Sequence, residues 1–309
     1  MTTEVLAQGG AASHRASPLV RLMAGQAGPV TVLVVAILAI WYVAAVWMNA
    51  PFARQIAADP AAMGTGELIA ATMSLERPLL PAPHQVAAEL YQTVLATPLT
   101  SRRSLVYHAW VTLASTLMGF GIGVLFGILL AVLIVHARAL QKSLLPWIIA
   151  SQTIPILAIA PIVIVVLGSI GLKGLVPKAL ISAYLCFFPV TIGMVKGLTS
   201  PEPMQLDLLR TYHASGWQTF WKLRWPASVP FLFTSLKVAV AISLVGAIVG
   251  ELPTGAEGGL GSRMLAGSYY GQMIQIWSCL ALAAVLGMIM VYSIAGIEWV
   301  TLRRSGVRA

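Results

Sequence analysis

Residues 207–230 read DLLRTYHASGWQTFWKLRWPASVP, a polar and basic island between two long apolar runs. Asp207, Arg210, Lys222 and Arg224 cross hydrocarbon only at high cost, yet they stand among Trp217, Phe220 and Trp221. The island therefore reads as an ordered interfacial element that something outside the membrane holds. A carboxylate at Asp207 suits the start of a short helix, and Arg210, three residues on, is close enough to pair with it. Ala214, Ser215 and Gly216 supply a tight break, after which Trp217, Phe220 and Trp221 fall on one face of a second short helix. Pro226 then starts the next apolar run. The expectation is helix, turn, helix along the membrane surface, an apolar ridge flanked by cations.

Outside the island the chain is built for lipid. Of its 309 residues 58% are hydrophobic and 9% charged, and the mean hydropathy is +0.86. A soluble domain carries about 25% charged residues. The apolar blocks have the length of helices spanning about 30 Å of hydrocarbon, not the short alternating segments of a barrel. We expect an all-α integral membrane protein with six transmembrane helices at 30–48, 105–135, 146–167, from 174 or 177 to 195, 226–250 and 273–300. Pro155 and Pro161 interrupt the third. Residues 30–300 are then the membrane domain, with 1–29 a disordered cytoplasmic tail and 301–309 a basic cytoplasmic tail. A cleaved signal peptide is the rival reading of the N-terminus, but the first run is long for one and ends in Trp41, Tyr42 and Trp47. Residues 49–104, with six prolines, form a long external loop in which PAPHQVAAELYQTVL predicts a short amphipathic helix lying on the membrane surface.

The net charge of +9 invites a nucleic-acid reading, but the basic residues lie in short loops beside apolar runs, as the positive-inside rule requires. Eleven fall on the side that holds both termini and the island, seven fall outside, and Lys237 lies within the fifth run. Both ends are expected inside, with the island as a cytoplasmic loop, 197–225, between the fourth and fifth helices. Gly119, Gly121, Gly123 and Gly127 give the second run a smooth face for close contact.

Chemistry of its own is hard to find in this chain. Cys186 and Cys279 lie in apolar runs without a CxxC or a His/Cys cluster, so they read as buried thiols and no metal site is expected. No GxxxxGK[ST] loop is present, and GAEGGLG at 255–261 follows a membrane helix rather than a strand, so neither ATP nor a dinucleotide is expected to bind. Within the spans, Lys237 either faces a solute path or pairs with a carboxylate. Gln152 and Thr153, beside Pro155, are placed to line a path where the helix backbone is broken. Glu251 stands at the external end of the fifth helix, a candidate for the outer gate or an external partner, while Glu298, His108 and Trp110 read as interfacial. An ion-gradient transporter would want carboxylates at mid-membrane, and an intramembrane enzyme would want a His, Asp or Cys constellation.

The island resembles the Glu-Ala-Ala loop in the permease subunits of bacterial ATP-binding-cassette importers. Asp207 stands at the Glu position, Leu208 and Leu209 at the two Ala positions, His213 at the Gly position and Trp225-Pro226 at the Leu-Pro step. LPAPHQVAAEL, SQTIPILAIAPIVIVVLG, CFFPVTIGMVKGL and GEL followed by GGLG are similar to the nitrate, sulfonate, taurine and pyrimidine-precursor branch, over about residues 30–300. The Gly-Glu-Leu-Pro form resembles uptake systems for pyrimidine-like or riboflavin-like compounds. The resemblance implies a bacterial inner-membrane subunit without catalytic residues, a homodimer with two cytosolic ATPase subunits that hold ATP and Mg, and an external solute-binding protein. It makes Asp207, Leu208, Arg210, His213, Ala214, Ser215, Gly216, Trp217 and Phe220 the ATPase-coupling residues, while Gln152, Thr153, Pro155, Lys237 and Glu251 remain, from their own chemistry and placement, the candidates for the translocation path. Histidine at the Gly position either adopts a left-handed backbone or shifts the break to Gly216.

Overall fold

A computed structural model of the protein describes residues 27–57, 63–253 and 258–304. All its elements there are helical. Five helices are long and apolar enough to cross a membrane, and a bent pair supplies a sixth candidate span. Most of the N-terminal tail and the last five residues, with Arg308, lie outside the described residues. The chain divides into two compact units, 1–83 and 84–309.

In the first unit α1 (Ala27–Ile56) runs past the expected end near residue 48, carrying Pro51 inside it, and α2 (Thr65–Met73) follows. Asn49 fastens the segment after α2. Its Oδ1 accepts from the Leu79 and Leu80 N–H groups at 2.7 and 3.3 Å, its Nδ2 donates to the Leu80 carbonyl at 2.8 Å, and Trp41 Nε1 donates to the Pro81 carbonyl at 3.0 Å. Much of the supposed loop is thus helix or hydrogen-bonded chain.

The second unit opens with α3 (Pro83–Leu90), which passes into a π-turn, Tyr91–Ala96. Val86 is buried, and Leu90 and Val94 pack on Leu105, Leu260, Cys279 and Ala283. The amphipathic helix is where the sequence put it, but its apolar face is used on the helix bundle. Then come α4 (Leu105–His136), α5 (Arg138–Ser151), α6 (Ile156–Ser169) and α7 (Leu175–Leu198). The third span differs from expectation. Residues 138–145 are helix rather than loop, and α5 and α6 meet at a 97° bend. Pro155 causes the break by excluding α geometry at the residue before it, whereas Pro161, inside α6, only removes one donor.

After α7 the chain forms α8 (Pro203–Thr211), α9 (Gly216–Thr219), a π-turn (Phe220–Arg224), α10 (Trp225–Glu251), α11 (Leu260–Tyr269) and α12 (Met273–Arg304). The centre of the unit is α4, α7 and α10 in close contact. A Cβ at Gly119, Gly123 or Gly127 would come within 2.9 Å of α7 backbone or side-chain atoms, and one at Gly193 or Gly197 would meet Ser235 or Ser228 of α10. Gly121, on the other side of α4, meets nothing. Lipid offers no hydrophobic drive for helices to associate, so this approach is held by van der Waals contact and hydroxyl bridges. Ser182 donates to the Ser243 carbonyl at 2.8 Å, and Ser243 to the Thr116 carbonyl at 3.1 Å.

Gly119→Ala is expected to destabilise the unit by about 1–3 kcal/mol through overpacking, because its Cβ would lie 2.5 Å from the Ala179 carbonyl oxygen. Gly121→Ala should leave stability within about 0.5 kcal/mol. Thermal unfolding of the two purified variants checks the contrast.

Candidate functional site

The island begins with Pro203 in the first turn of α8 and with the Glu202 N–H donating to Gln205 Oε1 at 3.2 Å. Asp207 and Arg210 form an exposed pair at 2.8 Å. An exposed pair of this kind contributes little stability, about 0–1 kcal/mol, so its use is to shape charge on the helix.

α8 ends in a Schellman turn. The His213 N–H donates to the Arg210 carbonyl at 2.9 Å and the Ala214 N–H to the Leu209 carbonyl at 3.0 Å. His213 takes a left-handed conformation, φ 51°, at a cost of about 1–2 kcal/mol for a residue with a Cβ. Of the two readings for this histidine, the structure has the first: the helix breaks at His213 and restarts after Ser215. Ser215 and Gln218 cap that restart reciprocally, Gln218 N–H to Ser215 Oγ at 3.3 Å and Ser215 N–H to Gln218 Oε1 at 2.9 Å.

The second short helix is not separate from the span. Residues Gly216–Glu251 form one helix of 36 residues, widened to a π-turn at Phe220–Arg224. The turn closes just before Pro226, which has no N–H to give to the ladder, so the proline sits in a continuing helix instead of starting a new one. The aromatic ridge is therefore the first turns of the fifth span. Phe220 is buried among Ala131, Val190, Met194 and Leu198, with the His136 ring 5.3 Å away at the end of α4. Trp221 lies 5.2 Å from Phe220 and 5.5 Å from both Trp217 and Trp225.

The loop thus has a rooted side and a free side. Met204, Leu208 and Tyr212, at i, i+4 and i+8 of one helical face, are 75%, 57% and 78% exposed, and Trp217 is 71% exposed. Leu206 and Leu209 are half-buried. A ridge this apolar and this open, joined by the His213 turn to a helix that Phe220 fixes to the bundle, is suited to receive a protein partner.

The candidates for the path lie in three separate places. Gln152, Thr153 and Pro155 occupy the bend between α5 and α6, where Thr153 Oγ1 donates to the Ala150 carbonyl at 2.8 Å and Gln152 Nε2 to Ser151 Oγ at 3.4 Å. Tyr184 of α7 donates to the Ser151 carbonyl beside them. Between α6 and α7 lies an apolar cleft of about 390 Å³ lined by Ile156, Ile159, Val163, Ile181 and Tyr184 among others. Lys237 of α10 is elsewhere, paired with Glu298 of α12. Glu298 is therefore the counter-ion of Lys237.

Glu251 is fully buried rather than presented at a surface. Its Oε2 accepts from Gly261 N–H at 2.8 Å and Thr112 Oγ1 at 3.0 Å, with the Lys178 charge acting on the same carboxylate. Thr112 Oγ1 also accepts from Leu260 N–H at 2.9 Å, His108 Nδ1 accepts from Gly259 N–H at 3.0 Å, and Lys178 Nζ donates to the Gly258 carbonyl at 3.3 Å. Gly259, at φ 121°, packs on the carboxylate so closely that a Cβ would lie 2.2 Å from its carbon. This network pins the start of α11 to α4, α7 and α10. His108, expected at an interface, is buried inside this network; the i, i+4 spacing of His108 and Thr112 is the sequence signal for it.

Residues 123–299 match the family model for the binding-protein-dependent transport system inner membrane component. The chain belongs to that family. It is the multi-pass, non-catalytic permease component of an ATP-binding-cassette importer, a class that works with an ATPase and a solute-binding protein. It is 30% identical over 228 residues to a probable ABC transporter permease protein of Haemophilus influenzae, covering 74% of this chain and 88% of that one. It is 33% identical over 193 residues to the formylaminopyrimidine transport permease protein ThiX of Halalkalibacterium halodurans, covering 62% and 72%. With the riboflavin transport system permease protein RibX of Chloroflexus aurantiacus it shares 30% over 180 residues, 58% and 63%.

Thr112→Val removes both the donor to Glu251 and the acceptor for Leu260 and is expected to cost about 1–3 kcal/mol, whereas Thr112→Ser should cost less than about 1 kcal/mol. Thermal unfolding of the purified permease, with proteolysis of the loop before α11 as a local probe, checks both.

Proposed function

We propose that this permease carries a small polar organic solute into the cytoplasm by alternating access, as a homodimer on two ATPase subunits that hold ATP and Mg, with the loop 202–224 as the ATPase dock. One observation carries the reading: Trp217 of the exposed ridge stacks at 6.4 Å on Phe220, which is buried among side chains of α4, α7 and α10. A partner that grips Trp217 thereby reaches the bundle core. The positive-inside count supports a cytoplasmic position for the loop, the side on which ATP is found. Asp207, Arg210, His213, Ser215 and Gly216 set the shape of the turn, and the apolar side chains supply contact area.

For the solute, we favour an uncharged or weakly charged heterocycle, pyrimidine-like or flavin-like, over sulfonate or nitrate. The intramembrane cation of α10, Lys237, already has its counter-ion in Glu298, so it offers little attraction to an anion. The relatives named for formylaminopyrimidine and riboflavin support the same class. Gln152 and Thr153 at the helix break are polar groups suited to a hydrogen-bonding solute.

Two measurements test these readings. Asp207→Ala with Trp217→Ala should abolish co-purification of the ATPase while the permease still inserts; retained association contradicts the dock. Titration of the partner binding protein should show affinity for pyrimidines or flavins, and selective binding of nitrate or sulfonates would overturn the solute class.

A further inference from the structure

Among the described residues, His213 is the one residue other than glycine with a positive φ. A Schellman turn ordinarily takes glycine at this position, because a Cβ strains the left-handed conformation. The His213 side chain is exposed and makes no hydrogen bond, ion pair or ring contact among the described residues. Its strain is thus not offset by any polar or aromatic contact within the described chain. Strain of this kind, held at an exposed turn, points to a use beyond the fold itself. Tyr212 and Trp217, on either side of the turn, are likewise turned to solvent.

Resting on the loop's role as the ATPase dock, we propose that the His213 imidazole is a recognition contact, donating its ring N–H to a carboxylate on the ATPase surface that receives α8. Residues 196–224 hold Lys196, Arg210, Lys222 and Arg224 against Glu202 and Asp207, so the segment is net positive and fits an acidic rim. Asp207 and Arg210 neutralise each other at 2.8 Å, which leaves the imidazole as a free donor at the turn. The left-handed backbone aims that donor outward, and a right-handed one would continue α8 instead. Glycine here would keep the turn and lose the contact. His213 is in this view a specificity residue by which the permease distinguishes its own ATPase from those of other importers.

The test is the affinity of the full-length permease, reconstituted in nanodiscs, for its purified ATPase subunit, with thermal unfolding of the permease alone. His213→Gly should raise the unfolding temperature and weaken ATPase binding about tenfold. His213→Asn, which tolerates the left-handed conformation and keeps a donor, should lose no more than about threefold. Unchanged or tighter binding by His213→Gly overturns the proposal, and so does an equal loss in both variants. Asp207→Ala with Trp217→Ala separates this from the dock itself. If that double variant loses the ATPase while His213→Gly binds normally, only the recognition role fails; if it keeps the ATPase, the dock reading fails.

Discussion

The backbone-to-backbone approach of α4, α7 and α10 governs the rest of this permease. In lipid no water is displaced when helices meet, so contact must come from shape, and glycines on α4 and α7 facing serines and alanines on their neighbours supply it. The three helices touch along their length, from the Phe220 end to the Glu251 end. At one end Phe220 is wedged into their apolar core; at the other Glu251, Lys178 and Thr112 pin the start of α11. α10 joins the two ends, since Gly216–Glu251 is one helix of 36 residues, roughly 54 Å along its axis. The aromatic ridge and the Glu251 network thus sit on the two ends of one helix.

Continuity through the π-turn joins the aromatic ridge to the span without a break. A separate surface helix ending at Pro226 would leave a hinge between partner and bundle. The wide turn at Phe220–Arg224 absorbs the missing proline donor and keeps the helix intact. The helical path is broken instead at His213, where the hydrogen-bonded turn joins α8 to the long helix, and at the 97° bend between α5 and α6, where polar Gln152 and Thr153 come together.

Much of this was legible in the amino-acid sequence because it rests on composition and local pattern. The apolar runs announced the spans, the island announced its helix and break, and Val86, Leu90 and Val94 announced α3. What was not legible depends on contacts between distant residues. Lys237 and Glu298 are far apart in the chain, so only the packing of α10 on α12 identifies them as a pair. Glu251 looked like the exposed end of a helix, since nothing local reveals that α11 folds back over it with Thr112 and Lys178. The joining of α9 to α10 hinges on a change of hydrogen-bond register that side-chain pattern does not encode.

Leu208 tests the central claim, that the free face of α8 is cytoplasmic and covered by the ATPase while Phe220 ties the following helix to the bundle. Cys186 and Cys279 are buried, so Leu208→Cys would introduce an accessible thiol against a silent background. Labelling with a membrane-impermeant maleimide should occur in inside-out vesicles stripped of the ATPase, not in right-side-out ones, and should be suppressed when the ATPase is restored. Labelling from the outside, or labelling indifferent to the ATPase, would contradict the account.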